Sequence, residues 1–187
     1  MALPVNMISY KVVIFTPRHS ITGELNLREK RLSDHLNERV DSSLYLRNAV
    51  VTRLDEPAKI LHKLANAVIP KQGILLLFEL AQQAVSSTQR FFTQMENVKN
   101  DVFLLLDKME VRGTLRTKGN MDIHRFLANQ TETFLTLSQV AVVFGTGFGL
   151  VMHQPTILIN SQHIRFLGLV QPTTTPSTGN TQPLTAI

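Results

Sequence analysis

The chain has 187 residues and a mass of 21.0 kDa, 43% of them apolar and 18% charged, with neither cysteine nor tryptophan. That length fits one ordinary domain or two small ones, and the missing cysteines exclude a disulfide scaffold, a thiolate zinc site and a cysteine nucleophile. Nineteen Lys and Arg against fourteen Asp and Glu give +5, of which residues 1–78 hold +4. So small a surplus reads as a solubilising surface, because dedicated nucleic-acid domains cluster their charge more densely.

The longest apolar stretch, residues 140–152, has 13 residues and three glycines, short of the roughly 20 that a transmembrane helix needs. The opening MALPVNMISYK has neither a basic start nor a cleavage site. The expectation is a cytoplasmic protein with no membrane partner.

In chain order, VVIF at 12–15 opens a strand, and Ile21, Gly23, Leu25 and Leu27 then alternate with Thr22, Glu24 and Asn26. Such alternation belongs to a strand with one buried face. Gly23 inside it marks a bend or a close backbone approach, which a short sheet needs if it is to close into a small barrel. Leu32 and Leu36, four apart, predict a short amphipathic helical turn over 31–37, with Ser33 or Asp34 placed to cap it. Leu44, Tyr45 and Leu46 supply a further strand.

Residues 57–69 put Ile60, Leu61, Leu64 and Val68 on one helical face. Pro57 at the start, Asp55 and Glu56 before it, and Pro70 at the end support a helix there. Leu80, Ala84, Phe91, Met95 and Val98 form a second stripe, which predicts a helix over 79–99. Phe134, Leu135 and Leu137 begin a strand. The glycines at 145, 147 and 149 lack a phosphate-loop ending and read as a hairpin connection. Residues 157–159 and 164–167 look like two closing strands around a turn at 160–163. The Thr- and Pro-rich tail from Pro172 is expected to be disordered.

Self-similarity organises these pieces. Residues 12–27 lie on residues 102–117 at an offset of 90, and Ile21-x-Gly23-x-Leu25 falls on Val111-x-Gly113-x-Leu115. At offset 91, Leu32 and Leu36 fall on Ile123 and Leu127, and 43–51 falls on 134–142. The run GILLL (73–77) is set against TILIN (156–160) at offset 83.

With those residues in view, HSITGELNLREKRLSDHLNERVDSSLYLRNAVV resembles a bacterial domain of unknown function with an I-x-G-x-L…R-L-S-D-x-L-N signature, here present as a tandem repeat. Arg31, Leu32, Ser33, Asp34, Leu36 and Asn37 carry the resemblance; the second copy keeps the strands but has Met121-Asp122-Ile123-His124-Arg125-Phe126-Leu127 instead. More distantly, Gly23, Asp34 and Asn37 with the closing strands resemble Sm-like small β-barrels. That resemblance implies a fold and, through its loops, RNA binding.

The chemistry is sparse. Ser33-Asp34-His35 are sequence neighbours, which cannot make triad geometry. The six histidines show no metal-ligand spacing.

The expected fold class is therefore mainly β with helices (α+β): two tandem small, strongly bent Sm-like barrel units joined by a helix. The expected division is 1–83 and 101–170 as the two units, 84–100 as the connecting helix, and 171–187 as the tail. The expected function is a non-enzymatic interaction or scaffold module, self-associating or bound to a protein partner. The alternative is RNA binding through Arg28, Lys30, Arg31, Asp34 and Asn37. No catalytic residue, cofactor, metal or small-molecule substrate is expected.

Overall fold

The computed structural model describes residues 7–28, 30–80, 97–145 and 151–171. The strands are β1 (Met7–Phe15), β2 (His19–Arg28), β3 (Ser43–Arg53), β4 (Ile60–Pro70), β5 (Leu76–Glu79), β6 (Asn97–Leu106), β7 (Met109–Lys118), β8 (Phe134–Phe144), β9 (Val151–Asn160) and β10 (Ile164–Leu169). Helix α1 (Leu32–Asn37) lies between β2 and β3, and α2 (Ile123–Phe126) between β7 and β8. Short 3-10 segments, Lys71–Gly73 and Ser161–His163, lead towards β5 and β10. All ten strands belong to one antiparallel sheet in the order β10-β6-β7-β8-β9-β5-β1-β2-β3-β4.

The centre of this sheet is buried on both faces. In β1, Val12 and Ile14 enter one core while Val13 and Phe15 enter the other. Leu77 of β5 and Leu158 of β9 join the first, whereas Leu76, Phe78, Ile157 and Ile159 join the second. Because successive side chains of a strand point to opposite faces, these three strands form a wall with a core on either side. Strands enclosed in this way read as unbroken apolar runs, which is what VVIF, LLLF and ILI are. One core is filled mainly by β1, β2, α1 and β3, and the other mainly by β6 to β9.

Each half bends at a glycine. Between Thr22 and Glu24 the β2–β3 register shifts, so that Asn48 and Ala49 together oppose Gly23; Asn48 has φ 50°. Gln139 and Val140 likewise oppose Gly113, and Gln139 has φ 54°. These are β-bulges, which bend a strand and tighten its twist. A Cβ at Gly113 would lie 3.0 Å from Val140 Cγ2 and 3.2 Å from the Ser138 carbonyl; at Gly23 the nearest atoms are 3.3 Å away. The close approach therefore requires glycine more strictly in the second half. Gly113→Ala is expected to lower stability by about 1–3 kcal/mol through overpacking, and Gly23→Ala by less, as read from urea unfolding midpoints.

Several sequence expectations are corrected here. The α+β class with two small, strongly bent, barrel-like units joined by a helix gives way to one open, nearly all-β sheet. Closure of the first half would require β5 to meet β4; instead its second edge is taken by β9. The helix over 57–69 is mostly strand β4, paired with β3 from Ser43↔Pro70 to Thr52↔Ile60. Ile60, Leu64 and Val68 are four apart, a spacing that satisfies a strand's period of two as well as a helical face.

The connecting helix over 84–100 does not hold at its end, where β6 begins at Asn97 and pairs with β7; residues 81–96 lie outside the described residues. So do residues 146–150 of the expected hairpin, between β8 and β9, and the tail from 172. GILLL and TILIN are not equivalent positions but partners, since Leu76 pairs with Ile159 and Leu77 with Leu158.

Candidate functional site

Two features of this sheet offer chemistry: the polar seam where its halves meet, and its two outer rims.

At the seam the β5–β9 ladder is short, and polar groups extend it. Asn160 is fully buried at the end of the TILIN run. Its backbone N–H donates to the Leu75 carbonyl (2.9 Å), its amide nitrogen to the Lys71 carbonyl (3.2 Å), and its amide oxygen accepts from Gln162 N–H (3.1 Å). His163 Nε2 lies 2.7 Å from the Gln72 carbonyl. Lys71, itself buried, turns its ammonium to the carbonyls of His35 (2.8 Å) and Glu38 (2.9 Å) at the C-terminal end of α1. A cation there meets the negative end of the helix. Burial lowers the Lys71 pKa, opposed by the charges of Asp41 and Glu38.

Helix α1 also reaches across the seam. Asn37 donates from Nδ2 to the Phe134 carbonyl (3.0 Å) and accepts the Phe134 N–H at Oδ1 (2.7 Å). A side-chain amide thus does for the start of β8 what another strand would do. Phe134 is fully buried, so its backbone groups have little access to water once Asn37 is removed. Asn37→Ala is expected to lower stability by about 2–4 kcal/mol, two lost hydrogen bonds plus buried groups left unpaired, measured by chemical denaturation.

The five residues singled out from sequence do gather around α1, in unequal states. Arg28 is exposed at the end of β2, and Arg31 is exposed at the N-cap of α1. Lys30 pairs with Glu38, and its carbonyl accepts from the Tyr10 hydroxyl (3.0 Å). Burial, followed by the charges of Glu79 and Asp34, raises the Tyr10 pKa. Asp34 accepts from the Ser33 hydroxyl (3.3 Å), and the N-cap of α1 is Arg31, which makes no side-chain cap hydrogen bond, contrary to the capping role expected of Ser33 or Asp34. The amide of Asn37 is held by Phe134. His35, Glu38 and Asp41 bring ligand atoms within 4.8 Å of one another, but Glu38 is already engaged by Lys30 and lies 3.5 Å from His35 Nδ1.

The Lys30 hydrogen bond holds the Glu38 carboxyl below its ordinary 4.5. The folded state therefore binds this proton less readily than the unfolded chain. The pair's contribution is complete above pH 4.5 and is lost as pH falls through the lowered value. Glu38→Gln is expected to flatten the acid limb of the melting temperature against pH below about 4.5, with little change near neutrality.

At the rims, β4 and β10 each have one edge that pairs with no strand among the described residues. Exposed apolar side chains line both: Ile60, Leu64 and Val68 on β4, and Phe166, Leu169 and Val170 on or just after β10. Tyr45, also exposed, sits opposite Val68 and donates to Asn66 Oδ1 (2.6 Å). Unpaired strand edges offer N–H and C=O groups to another chain. A cavity of about 760 Å³ also lies under α2, floored by Leu115 and Leu135 and edged by Arg116 and Arg125. At the matching positions of the first half, Leu25, Asn26, Leu27, Tyr45 and Arg47 line a smaller cavity of about 490 Å³; there α1 buries Leu32 and Leu36, whereas α2 buries no residue.

Lys71, Asn160 and the β4 rim were not recognisable as a site from sequence. The one local signal was Asn160, a polar residue closing an apolar run. Among the described residues no helix is long and apolar enough to cross a membrane. Compared with known proteins, the chain matches no family model and no curated protein.

Proposed function

We propose that this chain is a non-enzymatic interaction module of the cytoplasm that assembles, with itself or with a protein partner, through the rims of its sheet. The observation that carries this reading is the β4 rim, where Ile60, Leu64 and Val68 stand exposed beside a strand edge that is unpaired among the described residues. Native edges are commonly blunted by charge, bulges, proline or a covering element; this one carries Lys63, a register shift beside Leu61 and Pro70, yet still presents Ile60, Leu64 and Val68 to solvent. We further propose that the two runs of strand, strand, helix, strand, strand, strand descend from one duplicated module of the I-x-G-x-L…R-L-S-D-x-L-N type. Their common offsets of 90 and 91 residues support that origin.

RNA binding around α1 is the competing reading, and the geometry favours it less. Of the groups it would use, Lys30 is neutralised by Glu38 and the Asn37 amide is committed to Phe134. Light scattering on the purified chain, with and without nuclease and in low and high salt, separates the two. Assembly through apolar rims and main-chain pairing is expected to survive nuclease and 1 M salt (about a 3 Å Debye length). Oligonucleotide affinity that falls steeply with salt, and is lost when Arg28, Lys30 and Arg31 are changed to alanine, would establish the RNA reading instead.

A further inference from the structure

Within one chain the sheet already contains a contact between a fourth strand and a fifth strand: β9, fourth in the second run, pairs with β5, fifth in the first. The two rims present the same pair of partners, unjoined, because among the described residues the sheet ends in β4 at one side and β10 at the other. We propose that β10 of one copy pairs antiparallel with β4 of the next, repeating the internal seam between molecules. This rests on the self-association reading above and specifies which surfaces meet.

The equivalence holds residue by residue. Phe166 faces Leu105 across β10–β6 as Leu76 faces Phe15 across β5–β1. Val68 faces Tyr45 across β4–β3 as Leu158 faces Thr136 across β9–β8. What differs is cover. At the seam Leu76 is 0% and Leu158 6% exposed, while at the rims Phe166 is 51% and Val68 64% exposed. Large apolar side chains thus stand in water at the places where their counterparts are sealed by a neighbouring strand.

Carrying the seam's register to the rims sets Phe166 opposite Ile69 and Leu167 opposite Val68 of the next copy, as Leu76 stands opposite Ile159 and Leu77 opposite Leu158. Gly168 and Leu169 then meet Ala67 and Asn66, so no like charges are brought face to face. Such a contact joins two different surfaces. It is heterologous, and it generates a ring if the rotation closes and a filament if it does not.

The test uses the full chain with Val68→Lys, which spoils the β4 rim, and Phe166→Lys, which spoils the β10 rim. Masses come from size-exclusion chromatography with light scattering, and circular dichroism checks that each variant is folded. The wild type is expected to run as a multiple of the 21.0 kDa chain and each variant as a monomer. An equimolar mixture of the variants is expected to form a dimer and stop, because one intact β4 rim and one intact β10 rim remain. Recovery of that dimer also shows that both variants fold. Amide exchange in the wild type should show β4 and β10 protected to the level of interior strands.

Wild type that assembles while both variants remain assembled, or that loses assembly with only one variant, overturns the β10–β4 pairing and leaves self-association standing. A wild type that is monomeric at every concentration, with freely exchanging rim amides, overturns both.

Discussion

Everything in this fold depends on a wall three strands wide, β1, β5 and β9, being apolar on both faces. Adjacent residues such as Leu76 and Leu77 belong to different cores, so neither core can be completed without the strands that also complete the other. The first half contributes Val13, Phe15, Leu76 and Phe78 to the core of the second, and receives Phe134 and Leu158 in return. Two units of about 70 residues would each be marginal alone. Sharing a wall spares each of them a solvent-facing surface at its centre.

The polar groups of the seam follow from that arrangement. Where the β5–β9 ladder runs out, backbone groups of Phe134, Leu75 and Lys71 remain close to the apolar interior, and buried polar groups need partners. The side-chain amides of Asn37 and Asn160 provide them for Phe134 and Lys71, because an amide carries donor and acceptor together and can stand in for a peptide unit, and the Asn160 backbone N–H serves Leu75. Lys71 closes the end of α1 in the same region. The seam is therefore apolar in its middle and specified by amides at its margins.

Much of the sheet was legible in the sequence where the period was unambiguous. Ile21 to Leu27 alternate and form β2; Leu32 and Leu36 are buried by α1; the strands at 157–159 and 164–167 lie in β9 and β10. The errors have definable causes. A spacing of four at Ile60, Leu64 and Val68 belongs to both periods, and only pairing with β3 makes it strand. GILLL and TILIN look alike because both are enclosed on two faces, so similarity of environment mimics equivalence of position. The role of Asn37 was out of reach for another reason: its partner, Phe134, is 97 residues away, and no local pattern encodes such a distance.

Pro70 ends β4 at the position in the strand order that Asn160 holds in β9, as their pairings with Ser43 and Phe134 show. Asn160 gives its N–H to Leu75; Pro70 has none to give. The outer margin is thus one rung poorer than the inner one before any neighbour arrives. A proline at a strand edge blunts adhesion, so this margin is a weaker template for a further strand than the seam within the chain. The N–H that Asn160 donates at the seam is the one that the pyrrolidine ring of Pro70 removes at the rim.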